Sequence, residues 1–109
     1  RSTHNKMVLV ASSAEFDAKL AECKGLMVVD FFATWCPPCR RIAPLVAQWA
    51  EENPEVTFVK VDVDQVSDLG QRMGVRAMPT FIFIKDGKKV DEVVGANVPQ
   101  IVEFIAKHK

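Results

Sequence analysis

The sequence predicts an α/β fold in which a mixed sheet of five strands is covered by four helices on its two faces. Three observations predict it. Strand-like and helix-periodic stretches follow one another in the order βαβαβαββα. The run Leu26 to Ala33 is apolar except for Asp30, as a central strand covered on both faces must be. Asp86-Gly87 separates two strand-like runs and tolerates the positive φ of a tight hairpin, so the last two strands are antiparallel. Helices between the earlier strands imply parallel pairing through right-handed crossovers. At 109 residues the chain fits one domain spanning 1–109, with residues 1–5 read as a disordered tail.

Taken in order, Lys6 to Ala11 is apolar enough for a short strand. Ser12-Ser13-Ala14-Glu15 has the hydroxyl and carboxylate three residues apart that a capping box needs, and Phe16, Leu20 and Cys23 then share one helix face. After the central strand, a helix starts at Pro37 and carries the stripe Ile42, Val46 and Trp49 until Asn53-Pro54 closes it. Pro44 removes one backbone donor within that helix and should kink it. Val56 to Val63 is a strand, Gln65 to Met73 a short helix with Val66, Leu69 and Met73 inward, and Pro79 to Lys85 a strand. Lys88 to Val94 completes the hairpin, Gly95-Ala96 ends it, and Asn97 to Gln100 repeats the capping spacing before a helix with Val98, Ile101 and Ile105 on one face.

Composition narrows the function. Lys plus Arg and Asp plus Glu are 14 each, with no basic stripe interleaved with aromatics, so nucleic acid is not an expected partner. The longest apolar run is too short to cross a bilayer, and Arg1 to Lys6 lacks the apolar core of a secretory signal. Three cysteines are too few and too odd for a disulfide framework, which favours reduced thiols at rest in the cytoplasm or another internal compartment.

Trp35-Cys36-Pro37-Pro38-Cys39-Arg40 carries the chemistry. With the helix starting at Pro37, Cys36 is its N-cap, where free N–H groups stabilise a thiolate. Neither Pro37 nor Pro38 has an N–H, so the Cys39 amide is the nearest donor to the Cys36 sulfur. Cys36 is expected to be exposed and to attack, and Cys39, on the stripe that includes Ile42, to be shielded and to resolve. The reaction is thiol-disulfide exchange. Asp30, the one charge in a buried strand, should be pushed upward by desolvation until it can relay the Cys39 proton, with Lys60 moderating the shift.

Other readings of the same residues are weighed beside this one. A zinc site needs four ligands, and beyond the pair the chain offers only Cys23, His4 and His108, none in a paired spacing, so no metal is expected. Asp30 has a second reading as a salt-bridged structural acid. Cys23 reads as a small core hydrophobe. Trp35 reads either as packing or, beside an exposed sulfur, as a contact surface for clients.

The segments Val28 to Arg40, Pro44, Val61-Asp62-Val63-Asp64, Ala77-Met78-Pro79-Thr80-Phe81, Asp86-Gly87 and Gly95-Ala96-Asn97 resemble the thioredoxin family over nearly the whole chain. The resemblance implies strand order 1-3-2-4-5, with strand 1 parallel to its neighbour and strand 4 antiparallel to strand 2. It implies a cis Pro79 facing the dithiol and a client groove on Trp35, Met78, Pro79, Gly95 and Ala96, where Met78 backbone pairs with an extended segment. It also implies that Asp30 assists the buried cysteine with Lys60 beside it, and that Cys36–Cys39 is the only redox group, without a further cofactor. A monomer acting on disulfide-containing client proteins and recycled by a thioredoxin reductase follows from it. Pro37 stands where typical members have Gly, and Arg40 where Lys is usual. The Pro37-Pro38 pair resembles tryparedoxins, nucleoredoxins and membrane-tethered bacterial thiol reductants, which points to a second donor class, a small-molecule dithiol, for a carrier serving peroxidases. A third reading, a binding or scaffold module of the same fold, has no use for a buried acid behind a thiol.

Overall fold

The computed structural model describes residues 7–109. The expected tail, His4 and Lys6 lie outside the described residues. Within them the chain runs β1 (Val8–Val10), α1 (Ser13–Glu22), β2 (Leu26–Phe32), α2 (Pro37–Glu52), β3 (Thr57–Asp62), α3 (Ser67–Arg72), β4 (Thr80–Lys85), β5 (Lys88–Val94) and α4 (Val98–His108). The sheet order is β1-β3-β2-β4-β5, with β1, β3 and β2 parallel to one another and β2, β4 and β5 successively antiparallel. The fold class and strand order are those expected.

Alternation along β2 explains why it is apolar throughout. Leu26 and Val28 pack toward Ile42 and Val46 of α2 and Ile101 and Ile105 of α4. Met27, Val29 and Phe31 pack on the other side with Phe16 of α1 and Leu69 of α3. Both faces are therefore dry, and a strand with no wet face has no place for a polar alternation. Asp30 falls by the same alternation on the α2 and α4 side, between two apolar layers, which makes it the exception to account for.

The caps are built from the residues that predict them. Ser12 Oγ accepts from the Glu15 amide at 3.0 Å. The Glu15 carboxylate returns to the Ala11 amide at 2.7 Å, one residue earlier than in the usual box. Asn97 accepts from the Gln100 amide at 3.2 Å and starts α4. Asp86 and Gly87 turn the hairpin with φ of 53° and 77°. One irregularity in that hairpin has no sequence signal: the pairing shifts between Phe83 and Ile84, whose partners are Asp91 and Lys89, so Val90 bulges out of register. Helix α2 continues through Pro44 to its Asn53 cap. Helix α3 is shorter than the expected 65–73, because Val66 has a non-helical backbone and serves as its N-cap while its side chain stays buried. No helix among the described residues is long and apolar enough to cross a membrane.

Candidate active site

The central strand ends at Phe32, and a turn closed by the Cys36 amide donating to the Ala33 carbonyl at 3.2 Å delivers the chain into α2. Cys36 is the N-cap, extended at φ −88° and ψ 110°. Its sulfur accepts from the Cys39 amide at 3.3 Å, the single donor that the two prolines leave. The backbone thus offers this sulfur a partial positive charge from the helix end and one directed N–H.

Cys36 and Cys39 are joined as a disulfide, with their Cα atoms 5.3 Å apart. With three residues of separation at the start of a helix, the two sulfurs meet within one turn, as the spacing predicts. The expectation of an exposed Cys36 is corrected. Cys36 is 3% exposed, against 6% for Cys39. The sulfurs sit in a small cluster with Ala33, Phe32, Val63 and Met78. The Cys36 sulfur lies 3.6 Å from the Met78 carbonyl oxygen, a neighbour 42 residues away in sequence. A cysteine's exposure here is decided by a distant loop and not by its own helix.

That loop is fixed on both flanks. The Met78–Pro79 peptide is cis. Thr80 Oγ1 donates to the Ala77 carbonyl at 2.6 Å, and the Gly95 amide donates to the Pro79 carbonyl at 2.7 Å. Gly95 has φ of 98°, a conformation that side chains with a Cβ rarely adopt, so glycine is what lets its amide turn toward Pro79. Of the residues expected to line a client groove, Trp35 and Ala96 are exposed, Met78 and Gly95 are half-buried, and Pro79 is buried.

Trp35 is 60% exposed, yet held in place: its indole N–H donates to Asp64 Oδ2 at 2.9 Å. The Asp64 amide in turn donates to Asp62 Oδ1 at 2.9 Å. Asp64 has no place among the site residues read from the sequence, although it stands in the Val61 to Asp64 segment that carries the resemblance. Arg40 folds back, its guanidinium donating to the Thr34 carbonyl at 3.0 Å, and so braces the turn before the cysteines.

Asp30 is 3% exposed and faces Lys60 of β3 and Phe81 of β4 in register. Its Oδ1 has no hydrogen-bond partner among the described residues. The salt-bridge reading finds no support there, since the Lys60 ammonium lies over the Phe32 ring, 4.7 Å from its centre. Burial pushes the Asp30 carboxyl up from the ordinary 3.8 to about 7, with the Lys60 charge pulling the other way. An acid in that range takes and returns a proton near neutrality. Cys23 is half-buried against the α1 and α3 core and its thiol donates to the Gly25 carbonyl at 3.5 Å, consistent with a packing role. Among the described residues no group of three His, Cys, Asp or Glu could hold a metal ion.

A sulfur pair that opens and closes within one helical turn transfers two electrons without a further cofactor, and a carboxyl titrating near neutrality lies on the sheet face that this helix covers. That chemistry places the protein among the thiol-disulfide oxidoreductases. A family model described as thioredoxin matches residues 7–107. The chain is 51% identical over 108 residues to thioredoxin-2 of Pyricularia oryzae, covering 97% of this chain and 63% of that protein. It is 50% identical over 97 residues to thioredoxin-2 of Saccharomyces cerevisiae, covering 89% of this chain and 93% of the relative. Among solved structures, Fasciola hepatica thioredoxin superposes with a TM-score of 0.92 at 53% identity, over 94% of this chain and all of that one. The chain belongs to the thioredoxin family, whose members work by thiol-disulfide exchange.

Proposed function

We propose that this chain is a protein-disulfide reductase in which Cys36 attacks, Cys39 resolves and Asp30 moves the proton. The observation that carries the reading is the N-cap sulfur of Cys36, which receives the Cys39 amide on one side and faces the Met78 carbonyl on the other. In the reduced protein the Cys36 thiolate attacks one sulfur of a client disulfide, and the second client sulfur leaves as a thiolate that takes a proton. Asp30 accepts the Cys39 proton, Cys39 attacks the Cys36 sulfur, and the first client sulfur leaves as a thiolate that takes up a proton as Asp30 gives its own back. The client gains two electrons and two protons, and the Cys36–Cys39 bond reforms. A single domain over the chain, with Trp35, Met78, Pro79, Gly95 and Ala96 receiving an extended client segment, completes the proposal. Backbone pairing at Met78 supplies affinity without reading side chains, which suits many clients. The setting is the cytoplasm or another internal compartment, as a monomer.

Two donors fit. Recycling by a thioredoxin reductase is the first reading, favoured by relatives named as thioredoxins over nearly all of this chain. The Pro37-Pro38 pair favours the second, a tryparedoxin-like carrier reduced by a small dithiol and serving peroxidases. Insulin reduction driven in turn by NADPH with thioredoxin reductase and by a small-molecule dithiol tests the function and separates the donors. Turnover above the donor alone is expected, and its absence with both donors would remove the reductase reading.

Pro37 also makes the open dithiol less free. A proline restricts the unconstrained state by about 0.4–1 kcal/mol relative to a more flexible residue. Pro37→Gly should therefore shift the equilibrium with glutathione about two- to fivefold toward the dithiol, on the order of 10–20 mV. Redox titration checks this, and an unchanged equilibrium would show that Pro37 does not set the poise.

A further inference from the structure

The geometry points to a second recognition element beside the dithiol: a hollow that takes an apolar client side chain, with Arg41 reading an acidic residue next to it. This rests on the reductase reading above and names which clients that site prefers. The hollow, of about 220 Å³, lies between α2 and the start of α4, lined by Pro38, Arg41, Ile42, Leu45, Ala96 and Val98. It adjoins the expected groove through Ala96 and the cysteine turn through Pro38, so it lies beside the path of a segment running past Cys36. Its floor is apolar, with Ile42 buried and Leu45 and Ala96 exposed. An apolar concavity with one charged group at its rim fixes both the class and the orientation of what enters.

The two arginines at this end of α2 differ in what they are free to do. Arg40 is committed to the Thr34 carbonyl. Arg41 is exposed and makes no hydrogen bond or ion pair with any described residue, and no acidic residue lines the hollow. Its charge is available, and a guanidinium recognises a carboxylate through a paired donor geometry that lysine lacks. A neutral net charge for the chain as a whole makes this local, not global, attraction. The favoured client is thus an extended segment with a large apolar residue and then Asp or Glu close to its disulfide cysteine.

Paired cystine peptides test this, identical except that the residue after a leucine flanking the cysteine is Glu or Lys. Reduction of both is followed with a small-dithiol donor at low salt, together with hydroxyethyl disulfide, which is too small to reach the hollow. The wild-type protein should prefer the Glu peptide in kcat/KM by about two- to fivefold, the range one exposed ion pair supplies. The preference should fade at high salt and invert in Arg41→Glu. Replacing the leucine by Ser should lower kcat/KM for the Glu peptide. An Arg41→Glu protein with the same Glu-to-Lys ratio as wild type overturns the inference. Reduction of the peptides without any Glu preference overturns it while leaving the reductase reading intact, whereas failure on the peptides and on hydroxyethyl disulfide alike removes both. A dimer at assay concentration that Arg41→Glu dissolves would assign the hollow to a second copy and likewise overturn it.

Discussion

A Cys39→Ser protein should stall after one attack and hold its clients as mixed disulfides, while Cys36→Ser should reduce insulin no faster than the donor alone. The difference follows from the two positions. Cys36 caps α2 and its sulfur receives an amide at 3.3 Å, so the thiolate is stabilised where the attack begins. Serine at that place keeps the cap but supplies no sulfur to exchange. Cys39 lies one turn along the helix, bonded to Cys36 within an apolar cluster of Ala33, Phe32, Val63 and Met78. Without it the mixed disulfide has no internal thiol to displace the client, and release must wait for an outside thiol. Insulin turnover by Cys39→Ser should fall to background after about one equivalent, with client adducts visible on non-reducing gels and lost on adding dithiothreitol. A Cys36→Ser protein that still turned insulin over above the donor rate would remove Cys36 as the nucleophile.

Replacing Asp30 by Asn should stabilise the protein above neutrality and slow its resolution step. The folded carboxyl titrates near 7 against an ordinary 3.8, because burial disfavours its charged form more than Lys60 favours it. Between those values the unfolded chain has shed a proton that the folded chain keeps, so the wild type loses stability as pH rises. The slope is about 1.4 kcal/mol per pH unit and the loss about 4 kcal/mol, complete above the folded value. Asn cannot ionise, so Asp30→Asn should match the wild type near pH 4 and exceed it by several kcal/mol at pH 8. Urea unfolding at both pH values measures it, and equal gaps at the two would show that ionisation is not the cause. In the same protein, release of client from the mixed disulfide should slow most near pH 7, where the carboxylate is best matched to a thiol proton. A pH profile of single-turnover release separates this from a packing effect.

The fold was legible because its local signals agree with one another: the apolar run of β2, the caps at Ser12 and Asn97 and the Asp86-Gly87 turn each act within a few residues. Strand order was not, since periodicity says nothing about which strands are neighbours, and it came from the resemblance alone. The thiol pair and its single amide were legible for the same reason as the caps, being set by three consecutive positions. Two features of the site depend on chain segments that meet only in the fold, and one feature of the hairpin has no local signal. Met78 covers Cys36 from 42 residues away. Asp64 holds the Trp35 indole across 29 positions. The Phe83/Ile84 shift has no residue that announces it, since neither glycine nor proline marks the place.

The clasp between the Gly95 amide and the Pro79 carbonyl has a bearing on which disulfides this protein opens. Both edges of the proposed groove hang from one sheet, through Thr80 at the start of β4 and Val94 at the end of β5, which are themselves paired. The proposed receiving surface is therefore braced by the sheet before any client arrives, which lowers the cost of ordering it at each encounter. The variable part is the client's own loss of freedom on lying extended. Such a template would select disulfides in segments already loosened from their own fold, so local unfolding of the substrate would set the tempo of reduction alongside the sulfur chemistry.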